Sequence, residues 1–481
     1  MRIYRRFVGI LAVIMIAALS APGTAQEYRT DPIDDKAVSN RITVDRVVKG
    51  SETYDAQKAN VNAFFTKYYF PAMTRTGPED LANLGKMRYD LFDRYLRRTN
   101  NEQLQRDITQ MAFRALGPIA VRTNPTYHPA ARYNAVLVIG LLDEQYAIEQ
   151  GANRRPPKPL LEATEFLTKI IANPDNPVVT PALVVGAFVG LERHAQYREA
   201  IPPETLNKMI DAALKMATRE EPLDDVSLEV FRWIRLQAAR TLAKLGTVGP
   251  DGKIHEALLT LVGDSKLGVD NRCAVASQLA NIKYEGATVD GQSTADRMFS
   301  LARDLSTDEK RRAKEFEDIR IGVSTGGTRS LYGGMREGGG YGGGYGEQIK
   351  FERRQVLARA TDLRAGLRTI RPVVPAEAQA KIDTILPTIE AVINTAIDDD
   401  TVDLAVTETV RTMTNTIDST IAPAAEPEDE AALFEEPAAV EEEAPTKVPA
   451  AAAGDAGPQP PADAPPVEAP AAQPPAEAPA Q

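Results

Sequence analysis

Gly322-Val323-Ser324-Thr325-Gly326 has the G-x-S-x-G spacing that sets a nucleophilic serine on a strained turn between a strand and a helix. That geometry needs a parallel sheet beneath it. Here a charged helical segment precedes the motif and a glycine-rich run follows, so Ser324 reads as non-catalytic. Gly338, Gly340 and Gly343 meet the G-x-G-x-x-G spacing of a dinucleotide cradle, but they follow no expected strand and open no βα unit. The three histidines, His128, His194 and His255, lie outside helical reach of one another, and no H-E-x-x-H or Cys/His cluster exists. His128 falls at an expected helix start and His194 near a helix end, where capping or surface roles suit them. Carboxylates are plentiful, yet nothing singles out two of them as an acid and base pair. Cys273, the only cysteine, sits in an apolar helical pattern and reads as a small buried hydrophobe. Asp398-Asp399-Asp400 stands ahead of the last expected helix, where carboxylates favour the helix dipole, and this reading is preferred to a calcium site. No catalytic, metal or cofactor-binding residue is assigned, and no cofactor is expected. Tyr332, Tyr341 and Tyr345 remain as the candidate interaction loop. Tyrosines on a glycine-rich loop can anchor a partner at low entropic cost, though low-complexity drift explains them equally simply.

The elements around these residues are helical. Apolar residues make up 43% of the chain but aromatics only 6%, with one tryptophan, so small and aliphatic side chains must build the core. That composition favours close helix stacking over a β-sandwich. Apolar residues recur at spacings of three and four over residues 54–73, 81–98, 101–120, 128–145, 159–172, 181–194, 203–218, 228–245, 254–262 and 269–282. Several of these segments open at proline (Pro129, Pro159, Pro181, Pro203), whose missing N–H costs a helix start little. No segment alternates with period two, and no sheet is expected.

Repetition says more than any one helix. Superposing Gly140, Gly190, Ala243 and Ala280 aligns four helices, with anchors 50, 53 and 37 residues apart. One residue earlier each is apolar (Ile139, Val189, Leu242, Leu279), and four earlier each is small or β-branched (Val136, Gly186, Ala239, Ala276). Eight earlier, three are arginine (Arg132, Arg235, Arg272) and Ala182 is the exception. Small residues at these positions let neighbouring repeats approach and share a core that no single repeat could form alone. The pattern is clearest from Arg235 to Gly246 and resembles the second helix of HEAT-type repeats over roughly residues 80–285. The resemblance implies an all-α, HEAT-like α-solenoid of stacked hairpins, an architecture that typically serves as a protein-binding scaffold.

Five segments are expected. Residues 1–25 read as a signal peptide, with Arg2, Arg5 and Arg6 ahead of an apolar run from Phe7 to Leu19 and a small-residue exit ending at Ala25. The run is shorter than the ~20 residues that span a bilayer. The repeat array occupies 40–290. A C-terminal helical bundle follows over 291–421, with a seam of Val356, Ala360, Leu363, Leu367 and Ile370. It is interrupted by the Gly/Tyr-rich loop 322–346, where 12 of 25 residues are glycine, a composition expected to stay mobile. Residues 422–481 carry 14 of the 34 prolines and 13 acidic residues against Lys447 alone, so an extended, disordered acidic tail is expected. The tail's net charge of −12 leaves residues 1–421 near neutral within a chain of net −11, which offers no basic patch for nucleic acid.

The expected function is therefore a non-catalytic scaffold, exported to the periplasm or secreted, that binds a protein partner through its helical-repeat surface. A membrane-tethered envelope spacer is the alternative if the leader stays uncleaved, and only then is a membrane partner expected. An α-helical toroid-type polysaccharide-active enzyme is the third reading, since such folds also stack helical hairpins. The sequence identifies neither the partner nor the oligomeric state.

Overall fold

The computed structural model describes residues 27–124, 126–148, 154–324 and 351–421, and over these the chain is all-α apart from a two-stranded ribbon. The expected signal peptide and the tail lie outside the described residues, as does the glycine-rich loop beyond Ser324.

Helix begins earlier than the sequence suggested. The Asp34 carboxylate accepts from Lys36 N at 3.0 Å and opens α1 (Asp35–Val38), and α2 (Arg41–Val48) follows, burying Val44, Val47 and Val48. Three valines among charged neighbours form too narrow a stripe to stand out. Next come α3 (Tyr54–Phe64), which runs through a π-helical turn at Phe65–Tyr69 into Phe70–Ala72, and α4 (Pro78–Asp90), which ends in a second π-helical turn at Leu91–Leu96. Pro71 has no N–H to offer the Lys67 carbonyl four residues back, and that carbonyl accepts from Asp34 N at 2.9 Å instead. The widened turns let consecutive aromatics share one face. Tyr95 meets Phe65 and Tyr69 edge-on, with ring centroids 5.4 and 5.6 Å apart.

After α5 (Glu102–Val121) and α6 (Pro129–Ile139) comes the main departure from expectation. The helix expected to reach residue 145 stops at Ile139. β1 (Asp143–Gln145) then pairs antiparallel with β2 (Lys158–Pro159). Leu160 N donates to Leu142 O at 3.0 Å and the Asp143 carboxylate pairs with Arg193 at 2.5 Å, two contacts from distant chain that compete with further helical turns. Pro159 consequently lies in a strand, and the next helix starts two residues later.

The remaining helices are α7 (Leu161–Ala172), α8 (Pro181–Ala195), α9 (Pro203–Ala217), α10 (Leu228–Lys244), α11 (Lys253–Gly263) and α12 (Val269–Gln278). They are followed by α13 (Gly291–Ser324), α14 (Arg353–Ile370), α15 (Ala376–Ile397) and α16 (Asp403–Ile421). Alternate helices pack on one another. α6, α8, α10, α12 and α14 succeed each other in one tier, and α7, α9, α11 and α13 in a second. Beyond them α15 packs on α14 and α16, and α16 returns to α13. One apolar cluster runs through all of these elements from Val44 to Ile421, and the seam Val356, Ala360, Leu363, Leu367 and Ile370 is buried within it.

The acidic triplet is not at a helix start. α16 begins at Asp403, whose carboxylate pairs with Arg353, while Asp398 accepts from Asp400 N at 3.1 Å and Thr401 Oγ1 at 2.7 Å in the preceding turn. The Arg353 guanidinium also donates to the Asp398 and Thr401 carbonyls, and so holds this segment out of the helix.

Candidate interaction face

The aligned arginines occupy equivalent places. Arg132 Nε donates to Ala120 O at 2.9 Å, Arg235 Nε to Ala217 O at 3.0 Å, and Arg272 Nε to Val262 O at 2.6 Å. Each thus satisfies a carbonyl at the end of the preceding helix, where no further turn supplies an N–H. The other end of each guanidinium reaches the following hairpin. Arg132 meets Val178 O at 2.5 Å, Arg235 meets Asp264 at 2.6 Å and Arg272 meets Asp304 at 2.6 Å. Where Ala182 breaks the pattern the bond is made in reverse, by Arg219 of the next hairpin, which holds Asp175 through two contacts of 3.0 and 2.9 Å. Arg359 joins α12, α13 and α14 through Asp270, Asp308 and Glu309.

The small residues between the arginines set how closely the tier packs. A Cβ on Gly140 would stand 2.6 Å from the Gly190 α-carbon, and one on Gly190 would stand 2.8 Å from that of Gly140. At the other end of the tier, a Cβ on Gly366 would lie 2.9 Å from Ala276 O. Only glycine allows these backbones to touch.

Held this way, α8, α10, α12 and α14 carry a row of half-buried polar side chains. Glu192 on α8 has its pKa raised by desolvation, against the pull of Arg240 and Lys244. Asp362 on α14 is pushed up to about 6 by desolvation, with Ser277 and Arg240 drawing it down. Arg240, on α10, acts on both carboxyls but pairs with neither; its guanidinium lies over the ring of Trp233, 5.3 Å from the centroid. Lys244 Nζ donates to Asn281 Oδ1 at 3.3 Å. Among the described residues, neither Glu192 nor Asp362 forms an ion pair. Val189, one turn before Glu192, is 43% exposed beside them. The row presents half-buried charge beside a tryptophan ring.

The residues singled out from the sequence lie elsewhere. Tyr332, Tyr341 and Tyr345 fall outside the described residues, as do Gly326, Gly338, Gly340 and Gly343. Ser324 ends the range of α13 rather than following a strand. His128 caps α6, its Nδ1 accepting from Ala130 N at 3.2 Å. His194 does not reach the surface. It is fully buried, shares a hydrogen bond of 3.0 Å with Thr164 Oγ1, and burial lowers its pKa to about 3. His255 is buried between Tyr284 and Thr294, and desolvation lowers it to about 4. Cys273 is buried too, and its thiol pKa is pushed up by loss of solvent. Among the described residues no three His, Cys, Asp or Glu side chains gather as metal ligands, and no helix is long and apolar enough to cross a membrane. Glu192, Arg240 and Asp362 drew no notice in the sequence, where single charges at helical spacing are commonplace.

No family model matches the chain, and no curated protein or solved structure matches it either.

Proposed function

We propose that this protein is a non-catalytic extracytoplasmic scaffold that binds a protein partner through one face of a HEAT-like α-solenoid. In this reading residues 1–25 direct export, 40–290 form the repeat array, and 291–421 form a helical bundle closing its C-terminal end. The observation that carries it is the half-buried set of Glu192, Arg240 and Asp362 beside Trp233, on α8, α10 and α14 of one tier. The interlocking arginines support the repeat reading, because in three of the four aligned helices the same Nε donates to a carbonyl at the end of the preceding helix.

The raised carboxyls do not by themselves favour an enzyme. Glu192 on α8 and Asp362 on α14 belong to helices with α10 and α12 between them in the tier. Mild crosslinking in cells followed by purification tests the scaffold. A defined partner recovered with the native chain should be lost with Trp233→Ala and Arg240→Glu, and equal recovery with both variants would sink the reading. N-terminal sequencing of fractionated cells tests export. A soluble species starting near Gln26 is expected, whereas a membrane-bound one retaining Met1 would favour the envelope spacer.

A further inference from the structure

The chain is tied to its own helices almost as soon as the expected leader ends. Arg29 N donates to Thr126 O at 2.9 Å, Asp31 N to Thr74 Oγ1 at 2.8 Å and Asp34 N to Lys67 O at 2.9 Å. Residues 29–34 thus lie as a strap over the last turns of α3 and the segment before α6. Side chains close the same seam. Tyr127 Oη accepts from Arg29 Nε at 2.9 Å and donates to Asp31 Oδ1 at 2.9 Å, and Tyr28 stands edge-on to His128 with ring centroids 4.8 Å apart. Thr74 and Tyr127, which receive the strap, are both buried. Tyr28 comes three residues after Ala25, where the leader is expected to be cut. We propose that the strap makes leader removal a reaction of the unfolded chain: a signal peptidase hydrolyses the Ala25–Gln26 bond only while residues 28–34 are off the helices, and a chain that seats them first keeps its leader. This rests on the reading of residues 1–25 as an export signal, and adds when the cut is made. In the step itself water adds across the peptide bond, leaving the Ala25 carboxylate on the leader and the Gln26 amine on the chain.

Reach is the physical reason. A protease takes its substrate as exposed, extended backbone with free chain on both sides of the scissile bond. Three extended residues span only ~10 Å, about the diameter of one helix. A seated strap therefore brings the helical body against the enzyme before the bond can enter its cleft. Cleavage then waits for the strap to lift, and its rate follows the fraction of molecules that are open. The order of the two events sets the fate of the chain. It is soluble where cutting comes first and held at the membrane where seating does.

The test uses the purified full chain with its leader, incubated with a signal peptidase in detergent micelles. A synthetic peptide of residues 15–34 serves as the unfolded reference. The folded chain is expected to be cut about tenfold more slowly than the peptide, or slower still. Thr74→Val with Tyr127→Phe removes the hydroxyls that hold Asp31 and Arg29, is close to isosteric, and leaves the sequence around the scissile bond unchanged. It should restore most of the peptide's rate while circular dichroism shows the helices intact. Asp31→Ala breaks the seam from the strap's side and should act in the same direction; it carries the test alone if the double variant fails to fold. A folded chain cut as fast as the peptide overturns the proposal and leaves the export reading standing, as do folded variants that stay as slow as the native chain. A peptide that is not cut after Ala25 removes the export reading, and the proposal with it.

Discussion

Arg235 Nη1 donates to Asp264 Oδ2 at 2.6 Å and so ties α10 to the end of α11, in the next hairpin. The same guanidinium satisfies Ala217 O behind it, so one nearly buried side chain joins two successive hairpins. Each hairpin therefore leans on its neighbours, and the helices form a continuous core instead of separable pairs.

Arg235→Ala should destabilise the chain by about 2–4 kcal/mol, because it leaves a helix-end carbonyl and a carboxylate without their donor. Arg235→Lys should recover only part, since a single ammonium cannot bridge both acceptors. Urea unfolding monitored by circular dichroism measures each.

The Gly140–Gly190 contact predicts a steric penalty. Gly140→Ala places a methyl carbon 2.6 Å from the Gly190 α-carbon, and forcing α6 and α8 apart should cost about 1–3 kcal/mol or more. Gly85, whose added Cβ would meet nothing within 4 Å, is the control. There Gly→Ala should be neutral or stabilising by up to about 1 kcal/mol, given the better helix propensity. Melting temperatures of the two variants check the contrast.

Acid should weaken the fold through two histidines. Burial lowers His194 to about 3 and His255 to about 4, whereas an unfolded histidine titrates near ~6.5. Between those values the unfolded chain binds protons that the folded chain refuses. The stabilisation is thus whole above pH ~6.5 and is lost as the pH falls, by about 2 kcal/mol per histidine at pH 5. Asp143 and Asp362, both raised to about 6, oppose this trend, since their folded forms hold a proton more tightly than the unfolded chain does. His194→Gln should flatten the decline between pH 7 and pH 5 in urea titrations, and an unchanged slope would refute the assignment.

Cys273 should ignore thiol reagents in the native chain and react on denaturation, because it is fully buried and its thiolate is disfavoured. Labelling in the presence and absence of urea, read by mass, measures this. Prompt native labelling would mean that α12 opens readily.

The sequence by itself determined the all-α class, most helix positions and the buried seam of α14, because apolar residues at spacings of three and four have a single consistent partner face. It also placed the three arginines in register, as a pattern without a role. Their partners lie 10 to 46 residues away, so what they do emerged only when hairpins met. The same holds for the end of α6 and the ribbon of β1 and β2, where Leu160 and Arg193 outcompete local helix preference. His194 looked like a surface residue because position along a helix does not tell how many neighbours cover it. Glu192, Arg240 and Asp362 share one face only because α8, α10, α12 and α14 are stacked. Spacing along a chain encodes which face a residue occupies, while the stacking of distant helices decides what that face meets.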